Sequence, residues 1–159
     1  MADFAKTLFV VRHAHREVID RSLDNGLSEK GRKQALAVGG YLAKLLPDQT
    51  LIFSSPRIRC QETLEPLSRQ KNIPVVIEPL LDERGSSENI HDFSKRISEW
   101  IQKWKESPVQ TMVVCSHGDW IPVFAYQLLG QDIDLSKAGL MEIKETAGRF
   151  VVFDLKQRV

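Results

Sequence analysis

Two histidines in this chain each follow closely after a short apolar segment. Residues 7–11 lead into Arg12 and His13, and residues 111–115 lead through a serine into His117. A neutral imidazole can act as a nucleophile, and an arginine guanidinium binds phosphate oxygens through two parallel hydrogen bonds. These residue types therefore predict covalent chemistry on a small anion, of which a phosphoryl group is the simplest example.

The two apolar segments have the composition of buried β-strands. Both are short, unbroken and rich in β-branched residues, which is typical of strands in a parallel sheet covered on both faces. In open α/β sheets, ligands bind beyond the carboxyl ends of the strands. The pattern therefore predicts that His13 and His117 lie at the same edge of one sheet.

The rest of the chain alternates between strand and helix patterns. Apolar segments predict further strands at residues 50–53, 73–77, 139–143 and 149–155. Apolar periodicity predicts helices from residue 27 to Pro47, from a serine cap at residues 54–55 onward, from 89 to 106 and from 120 to 129. The alternation predicts an α/β fold, a three-layer αβα sandwich with a mostly parallel central sheet, formed by one domain over residues 1–159.

A third group of polar residues follows the predicted second strand. Ser55 and Arg59 stand where that strand gives way to a helix, whose N-terminus offers N–H groups to an anion. With Arg12, they would bind a phosphate dianion, and His117 would stabilise charge on its oxygens during transfer. His13 would attack phosphorus if it is neutral and a backbone carbonyl binds its other ring nitrogen.

The composition is that of an ordinary globular protein. Hydrophobic residues make up 42% and charged residues 27% of the 159 residues, and the net charge is +1. We therefore expect neither a nucleic-acid-binding protein nor a membrane-surface protein. Cys60 and Cys115 match no metal-ligand spacing and indicate reduced thiols in a cytoplasmic protein. Residues 1–4 carry no basic segment, so we expect no secretory signal, and no apolar segment reaches transmembrane length.

Four short motifs follow one another between about residue 7 and residue 118. They are Leu-Phe-Val-Val-Arg-His-Ala at 8–14, Ser-Pro-Arg-Ile-Arg-Cys-Gln-Glu-Thr at 55–63, Leu-Asp-Glu-Arg at 81–84 and Ser-His-Gly at 116–118. In this order they resemble the motifs of the histidine phosphatase superfamily, the phosphoglycerate-mutase-like proteins. Residues 24–35 also resemble the start of that family's first helix. At this length the chain is similar to the small phosphatases of the family, including the bacterial phosphohistidine phosphatases.

The resemblance implies a role for each motif. His13 is the implied nucleophile, His117 the second catalytic histidine, and Arg59 the arginine of the phosphate pocket, with Arg12 beside the nucleophile. Glu83 is implied as the acid that protonates the leaving oxygen. The resemblance also implies a phosphoglycerate-mutase-like fold and a metal-independent phosphatase that needs no cofactor. Its substrates would be phosphorylated small molecules or phosphoproteins, hydrolysed through a covalent phosphohistidine.

The chain departs from the family pattern at several positions. Ala14 stands where the family has glycine, so we expect the turn after His13 to avoid a φ angle that only glycine adopts readily. Arg57 and Glu62 replace a leucine and a glutamine, and the asparagine that often follows the first motif is missing. These changes predict a phosphate pocket that differs in detail from that of the family.

Four more residues are candidates for the rim of the pocket: His15, Arg16, Arg21 and Arg84. The three arginines would select acidic substrates.

Two other functions remain open from the sequence alone. A divalent-metal hydrolase would draw its ligands from His13, His15, Glu83, His117 and Asp119. Against it, Arg12 beside the first histidine repels a cation. Alternatively, the domain binds a phosphorylated partner without turnover. Chelation separates the metal enzyme from the metal-independent one, and an aryl phosphate assay separates an enzyme from a binding module.

Overall fold

A computed structural model describes residues 6–159, and the expectation about a secretory signal in residues 1–4 lies outside them. The strands are β1 (Thr7–Arg12), β2 (Thr50–Ser54), β3 (Val75–Ile77), β4 (Thr111–Ser116), β5 (Leu140–Thr146) and β6 (Arg149–Lys156). The helices are α1 (Glu29–Ala43), α2 (Ile58–Lys71), α3 (Ile90–Glu106) and α4 (Trp120–Leu129), with a short 3₁₀ turn at Pro79–Leu81. Within residues 6–159, no helix is long and apolar enough to cross a membrane.

The six strands form one sheet in the order β3-β2-β4-β1-β5-β6. The four strands from β3 to β1 are parallel, whereas β5 is antiparallel to β1 and β6 is antiparallel to β5. The mostly parallel sheet predicted from the sequence is therefore confirmed. Because β1 and β4 are neighbours with Arg12 opposite Ser116, their carboxyl ends emerge together and bring His13 beside His117.

Successive side chains of β1 serve two different cores. Phe9 and Val11 face a cluster that contains the buried residues of α1 and α2, and Leu8 and Val10 face a cluster that contains those of α3 and α4. Since side chains alternate along a strand, an unbroken apolar strand is what a sheet covered on both faces requires. The sheet and its two helical layers form the predicted αβα sandwich.

The start of α2 differs from the sequence-based expectation. Its N-cap is Arg57, which makes no side-chain capping bond, although a serine cap is expected from residues 54–55. Both serine hydroxyls have other partners: Ser54 donates to the carbonyl oxygen of Ser55, and Ser55 lies 2.7 Å from a ring nitrogen of His117. The Ser55 hydroxyl thus joins the polar site at the sheet edge, and it also accepts from the amide of the N-cap residue Arg57 at 3.3 Å.

A tight turn joins β5 to β6, where the sequence predicts one. Thr146 pairs with Arg149, so the loop has only two residues, Ala147 and Gly148. Both have positive φ angles, 51° and 77°, as in the type I′ turn that suits the twist of a hairpin.

Candidate active site

His13 lies at the end of β1 as a buried, neutral base. Its Nδ1 is 2.8 Å from the carbonyl oxygen of Ala14. Nδ1 therefore carries the hydrogen, and Nε2 keeps its lone pair. Burial is the main reason that the pKa of His13 is lowered to about 3. The hydrogen bond to Ala14 acts in the opposite direction, and the charges of Arg59 and Arg12 lower the pKa further. The ring is therefore uncharged near neutral pH, with one nitrogen available as a nucleophile.

The turn after His13 accommodates Ala14 without a positive φ angle. The Ala14 amide donates to Thr63 Oγ1 at 2.9 Å, and the Thr63 hydroxyl donates to the carbonyl oxygen of Arg59 at 2.6 Å. Thr63 thus links the turn that carries the nucleophile to the helix that carries the arginine. The alanine found in place of the family's glycine causes no backbone strain, in agreement with the sequence-based expectation.

His117 follows β4 and faces His13, with ring centroids 5.4 Å apart. Its Nδ1 lies 3.3 Å from Arg59 Nη2, and its Nε2 lies 2.7 Å from Ser55 Oγ. Because arginine can only donate, Nδ1 is the acceptor and Nε2–H donates to the serine. Burial, and then the charge of Arg59, lower the pKa of His117 to about 2. Two neutral imidazoles therefore face each other at the sheet edge.

Arg59 joins His117 to Glu83. Its side chain is only 4% exposed, and its Nη2 lies 2.5 Å from Glu83 Oε2. Glu83 Oε2 is in turn 3.9 Å from His117 Nδ1. The second carboxylate oxygen of Glu83 lies 3.4 Å from Arg57 Nε. Two arginines of the α2 segment, and not the adjacent Arg84, supply the cations around this carboxylate.

The loop that carries Glu83 is fixed mainly by Arg96 of α3. Arg96 donates to the carbonyl oxygens of Leu80, Asp82 and Glu83 at 2.8–3.0 Å. It also makes a two-point ion pair with Glu88, at 2.8 and 2.9 Å. The hydrogen bonds from Arg96 are the main reason that the pKa of Glu88 is lowered to about 2, although burial acts to raise it. Arg96 therefore holds the backbone of the loop against the helix and leaves the Glu83 side chain directed to Arg59.

Arg12 approaches the backbone of the second histidine motif. Its Nη1 donates to the carbonyl oxygen of Leu135 at 2.8 Å. A Cβ atom at Gly118 would lie 2.7 Å from Arg12 Cζ, so only glycine permits this approach. The Nε atoms of Arg12 and Arg59 are two of the three buried side-chain nitrogen or oxygen atoms in residues 6–159 without a hydrogen-bond partner. Buried unpaired N–H groups are costly, and here both belong to cations that an anion would satisfy.

The rim candidates have different surroundings. His15 Nδ1 lies 2.6 Å from Ser28 Oγ, at the N-cap of α1, so its ring is tied to the helix start. Arg16 donates to the carbonyl oxygen of Arg21 at 3.2 Å, and its pKa is lowered first by burial and then by Arg59. Arg84 is exposed, and its amide donates to an Asp119 carboxylate oxygen. Of the four, Arg16 is affected by the charge of Arg59, whereas the hydrogen bonds of the His15 ring and of the Arg84 amide are with Ser28 and Asp119.

Sequence reasoning missed several residues of this site. Arg57 was recognisable only as a departure from the family motif. Arg96 and Lys137 carry no local signal, because their neighbours in the chain show only a helix face and an irregular loop. Lys137 precedes Ala138, whose amide donates to the carbonyl oxygens of Arg12 and His13 at 3.1 Å.

The charge distribution favours an anion over a cation. In residues 6–159, no group of three His, Cys, Asp or Glu side chains is arranged to hold a metal ion. Arg59 instead lies between the second histidine and the carboxylate that a metal would have to share. The arrangement suits a nucleophilic attack on a phosphoryl group whose oxygens are bound by guanidinium groups.

Comparison with solved structures shows the same fold in phosphatases. A putative α-ribazole-5′-phosphate phosphatase from Escherichia coli superposes with a TM-score of 0.84 at 18% identity, over 96% of each chain. Mycobacterial glucosyl-3-phosphoglycerate phosphatase superposes with a TM-score of 0.76 at 20% identity, over 97% of this chain and 99% of the other. At these identities the likeness shows the phosphoglycerate-mutase-like fold alone.

Sequence comparison defines the family. An 8-oxo-(d)GTP phosphatase of Mycolicibacterium smegmatis is 32% identical over 121 residues, which are 74% of this chain but only 35% of that protein. An uncharacterized protein of Picosynechococcus is 26% identical over 89% of this chain and 87% of its own length. The model of the histidine phosphatase superfamily, branch 1, matches residues 8–87 and 84–157. The chain therefore belongs to branch 1 of the histidine phosphatase superfamily.

Proposed function

We propose that residues 1–159 form one catalytic domain that hydrolyses phosphate monoesters, or a phosphohistidine, without a metal ion and through a phosphoryl group carried on His13. One observation carries the proposal. His13 is neutral, its Nδ1 is bound to a backbone carbonyl, and its other nitrogen is available beside two arginines with unpaired buried N–H groups. The family and the relatives named as phosphatases support a phosphatase activity.

In the first step, His13 Nε2 attacks phosphorus and forms a P–N bond while the P–O bond to the leaving group breaks. Arg12, Arg59 and His117 would stabilise the negative charge on the three remaining phosphoryl oxygens. The phosphoryl oxygens would replace Glu83 on Arg59, since the two compete for the same guanidinium. Once released from Arg59, the Glu83 carboxylate would take up a proton from solvent and then donate it to the leaving oxygen.

In the second step, water replaces the imidazole on phosphorus. Glu83, now a carboxylate, would accept a proton from the attacking water, and His13 would leave as the neutral base that its buried position favours. The products are the alcohol and inorganic phosphate, and the cycle closes when Glu83 returns its proton to solvent and pairs with Arg59 again. No step needs a redox group or an external activator.

The test is direct trapping of the intermediate. During turnover of a ³²P-labelled monoester, a quench that avoids acid should recover protein-bound label that is stable to alkali and labile to acid, as a phosphoramidate is. His13→Ala should abolish both label and turnover, whereas His91→Ala, at an exposed position of α3, should preserve both. Label on a serine, or label retained by His13→Ala, would refute the proposal.

Chelation separates the proposal from the metal-dependent alternative. Activity should persist after exhaustive treatment with EDTA, because arginines and histidines supply the positive charge that a metal would otherwise provide. Loss of activity with EDTA, followed by recovery with zinc or manganese, would favour a metallohydrolase. Failure of the wild type to hydrolyse any aryl phosphate would favour a binding module.

A further inference from the structure

The neutral His117 ring has no free hydrogen to offer to an anion. Its Nδ1 lies 3.3 Å from Arg59 Nη2, and its Nε2 lies 2.7 Å from Ser55 Oγ. Arginine can only donate, so Nδ1 holds a lone pair and the single ring hydrogen lies on Nε2, bonded to the serine. A phosphoryl oxygen bound to Arg59 would therefore meet a lone pair of His117 and not an N–H group.

Ser55 is fixed by the backbone as the acceptor for Nε2. The residue is fully buried, and its amide donates to the carbonyl oxygen of Cys115 in β4 at 3.1 Å. Its hydroxyl oxygen also accepts from the Arg57 amide at 3.3 Å. Ser55 is thus attached both to the strand that leads to His117 and to the start of α2, and these contacts hold its hydroxyl beside the ring.

The other groups near Nε2 also favour a hydrogen on that atom. Asp82 Oδ1 lies 3.9 Å from Nε2, and a carboxylate attracts an N–H group. Cys60 Sγ lies 3.6 Å from the same nitrogen and carries no charge that would repel the hydrogen. Near Nδ1, Glu83 Oε2 lies 3.9 Å away, but this oxygen is already paired with Arg59.

A bound anion would change the balance at Nδ1. Burial, and then the charge of Arg59, lower the pKa of His117 to about 2 in the free protein. Groups at the end of β1 and the start of α2 act in the same direction: His13, Arg57 and Arg12. A dianion that binds the unpaired Nε–H groups of Arg12 and Arg59 would offset their charges and offer an acceptor to a proton on Nδ1.

We propose that Ser55 is a positioning residue that keeps the hydrogen of His117 on Nε2, so that Nδ1 takes up a second proton only when an anion binds to Arg59. This proton comes from solvent and returns to solvent when the anion leaves. The imidazolium then donates from Nδ1 to the anion and from Nε2 to Ser55. The inference rests on the proposed phosphatase function and deepens it, because it makes His117 a donor when the phosphoryl group is present.

Nuclear magnetic resonance of ¹⁵N-labelled histidine reports the protonation of each ring nitrogen. The chain has four histidines, and His117→Gln assigns the signals of His117. Near neutral pH and without ligand, only Nε2 should be protonated. In inorganic sulfate, a dianion that carries no proton at this pH, both nitrogens should be protonated. A ring that stays neutral up to the highest soluble sulfate concentration, or a free protein with the hydrogen on Nδ1, would overturn the proposal.

Ser55→Ala removes the acceptor, and Ser54→Ala is the matched control. Ser54 is equally buried, but its hydroxyl donates to the carbonyl oxygen of Ser55. In sulfate, Ser55→Ala should lower the pH at which His117 gains its second proton by about one unit, because the hydrogen bond to the charged ring is the stronger one. Ser55→Thr, which retains the hydroxyl, should recover most of this shift, and Ser54→Ala should show none. Equal values in Ser55→Ala and the wild type would refute the role of Ser55.

The pH dependence of turnover separates positioning from a structural effect. With p-nitrophenyl phosphate, which needs little acid assistance, the alkaline limb of kcat should report His117 in the enzyme–substrate complex. Ser55→Ala should move this limb to lower pH by about one unit, whereas Ser54→Ala should leave it in place. A loss of kcat that is the same at every pH would show that Ser55 supports only the structure.

The resonance measurement does not depend on turnover, so the two proposals fail separately. If the wild type hydrolyses no ester but His117 gains a proton in sulfate, the phosphatase proposal fails and this inference stands. If the wild type hydrolyses esters while His117 stays neutral in sulfate, the inference fails alone.

Discussion

At the scale of single residues, Glu83 has one role in the structure and another in the proposed reaction. In the structure it is an ion-pair partner of Arg59 and lies near Arg57, and in the proposed reaction it is an acid and then a base. In that reaction, Arg59 would bind the phosphoryl oxygens and would thereby control when the Glu83 carboxyl group becomes available. The proposed reaction would thus link substrate binding to acid catalysis through Arg59.

The contribution of Glu83 should depend on the leaving group. Glu83→Gln should slow phosphorylation by alkyl phosphates on the order of 10²-fold or more, because an alkoxide leaves poorly without a proton. It should affect p-nitrophenyl phosphate far less, since p-nitrophenolate is a weak base that needs little assistance. Single-turnover rates on both substrates measure the difference. An equal loss on both would show that Glu83 only positions the substrate.

The positions of the two histidines of the candidate site were predictable from the sequence, and the residues around Glu83 were not. Two apolar strands that end in histidines are local patterns, and the topology of parallel sheets brings them together. The contact of Glu83 with Arg57, and the position of Lys137, depend instead on loops whose geometry is set by distant backbone contacts. Such contacts leave no periodic signal in the chain.

At the scale of elements, α3 positions the acid loop through Arg96. Its side chain donates to the carbonyl oxygens of residues 80, 82 and 83 in the loop that carries Glu83. The carbonyl oxygen between them, that of Leu81, accepts from Ser116 Oγ at 2.7 Å. The loop is therefore attached both to a helix and to the central strand β4. In the proposed reaction, Arg96 would be a positioning residue that acts through the loop that carries Glu83.

Replacement of Arg96 should change the rates in the same substrate-dependent way as replacement of Glu83, but to a smaller extent. Arg96→Gln removes the bonds to three carbonyl oxygens and leaves Glu88 unpaired, so it should destabilise the fold by about 2–4 kcal/mol in chemical denaturation. Its effect on kcat should be larger for alkyl phosphates than for p-nitrophenyl phosphate. A purely structural role would lower both rates equally, and Arg96→Lys, which retains the charge but not the forked geometry, should recover only part of the selectivity.

The turn between β5 and β6 tests the residue preference of type I′ turns. Ala147 occupies the first position of a type I′ turn with a φ angle of 51°, where asparagine followed by glycine is preferred. Ala147→Asn should therefore stabilise the protein by about 0.5–1 kcal/mol in denaturant melts. Thr146→Asn, next to it on the strand, has no positive φ angle to relieve and should give no gain.

The elements themselves were largely predictable, and the starts of helices were less so. Apolar periodicity predicted α3 and α4 within a residue or two, because their buried faces are regular. The expected serine cap of α2 was wrong, because the N-cap is Arg57, while the Ser54 hydroxyl donates to a backbone carbonyl oxygen and the Ser55 hydroxyl contacts His117. Local capping rules do not include a competing tertiary partner such as His117.

At the scale of the whole molecule, two buried neutral histidines make the fold sensitive to acid. Burial is the first cause that lowers the pKa of both His13 and His117, to about 3 and about 2. In the unfolded chain both would titrate near 6.5. Between these pH values the unfolded state binds more protons than the folded state. The free energy of unfolding is therefore not reduced by these histidines above about pH 6.5, and it falls as the pH decreases below that value.

Replacement of one histidine should make the protein less sensitive to acid. Between pH 7 and pH 5, His117→Gln should lose roughly 2 kcal/mol less stability than the wild type, because residue 117 no longer takes up a proton when the chain unfolds. Urea denaturation at the two pH values measures the difference. His91→Gln, at an exposed histidine, should keep the wild-type dependence. An equal loss in wild type and His117→Gln would contradict the neutral buried state of His117.

The position of β1 in the sheet also has a consequence during protein synthesis. Thr7 pairs with Thr111 on one side and with Lys144 on the other, so β1 must wait for distant parts of the chain. At roughly 5–20 residues per second, translation leaves this apolar strand without either neighbour for at least about 5 s. Over that time its unpaired edge is open to chaperones or to other nascent chains. His13 is therefore translated well before β4, the neighbouring strand that brings His117 beside it.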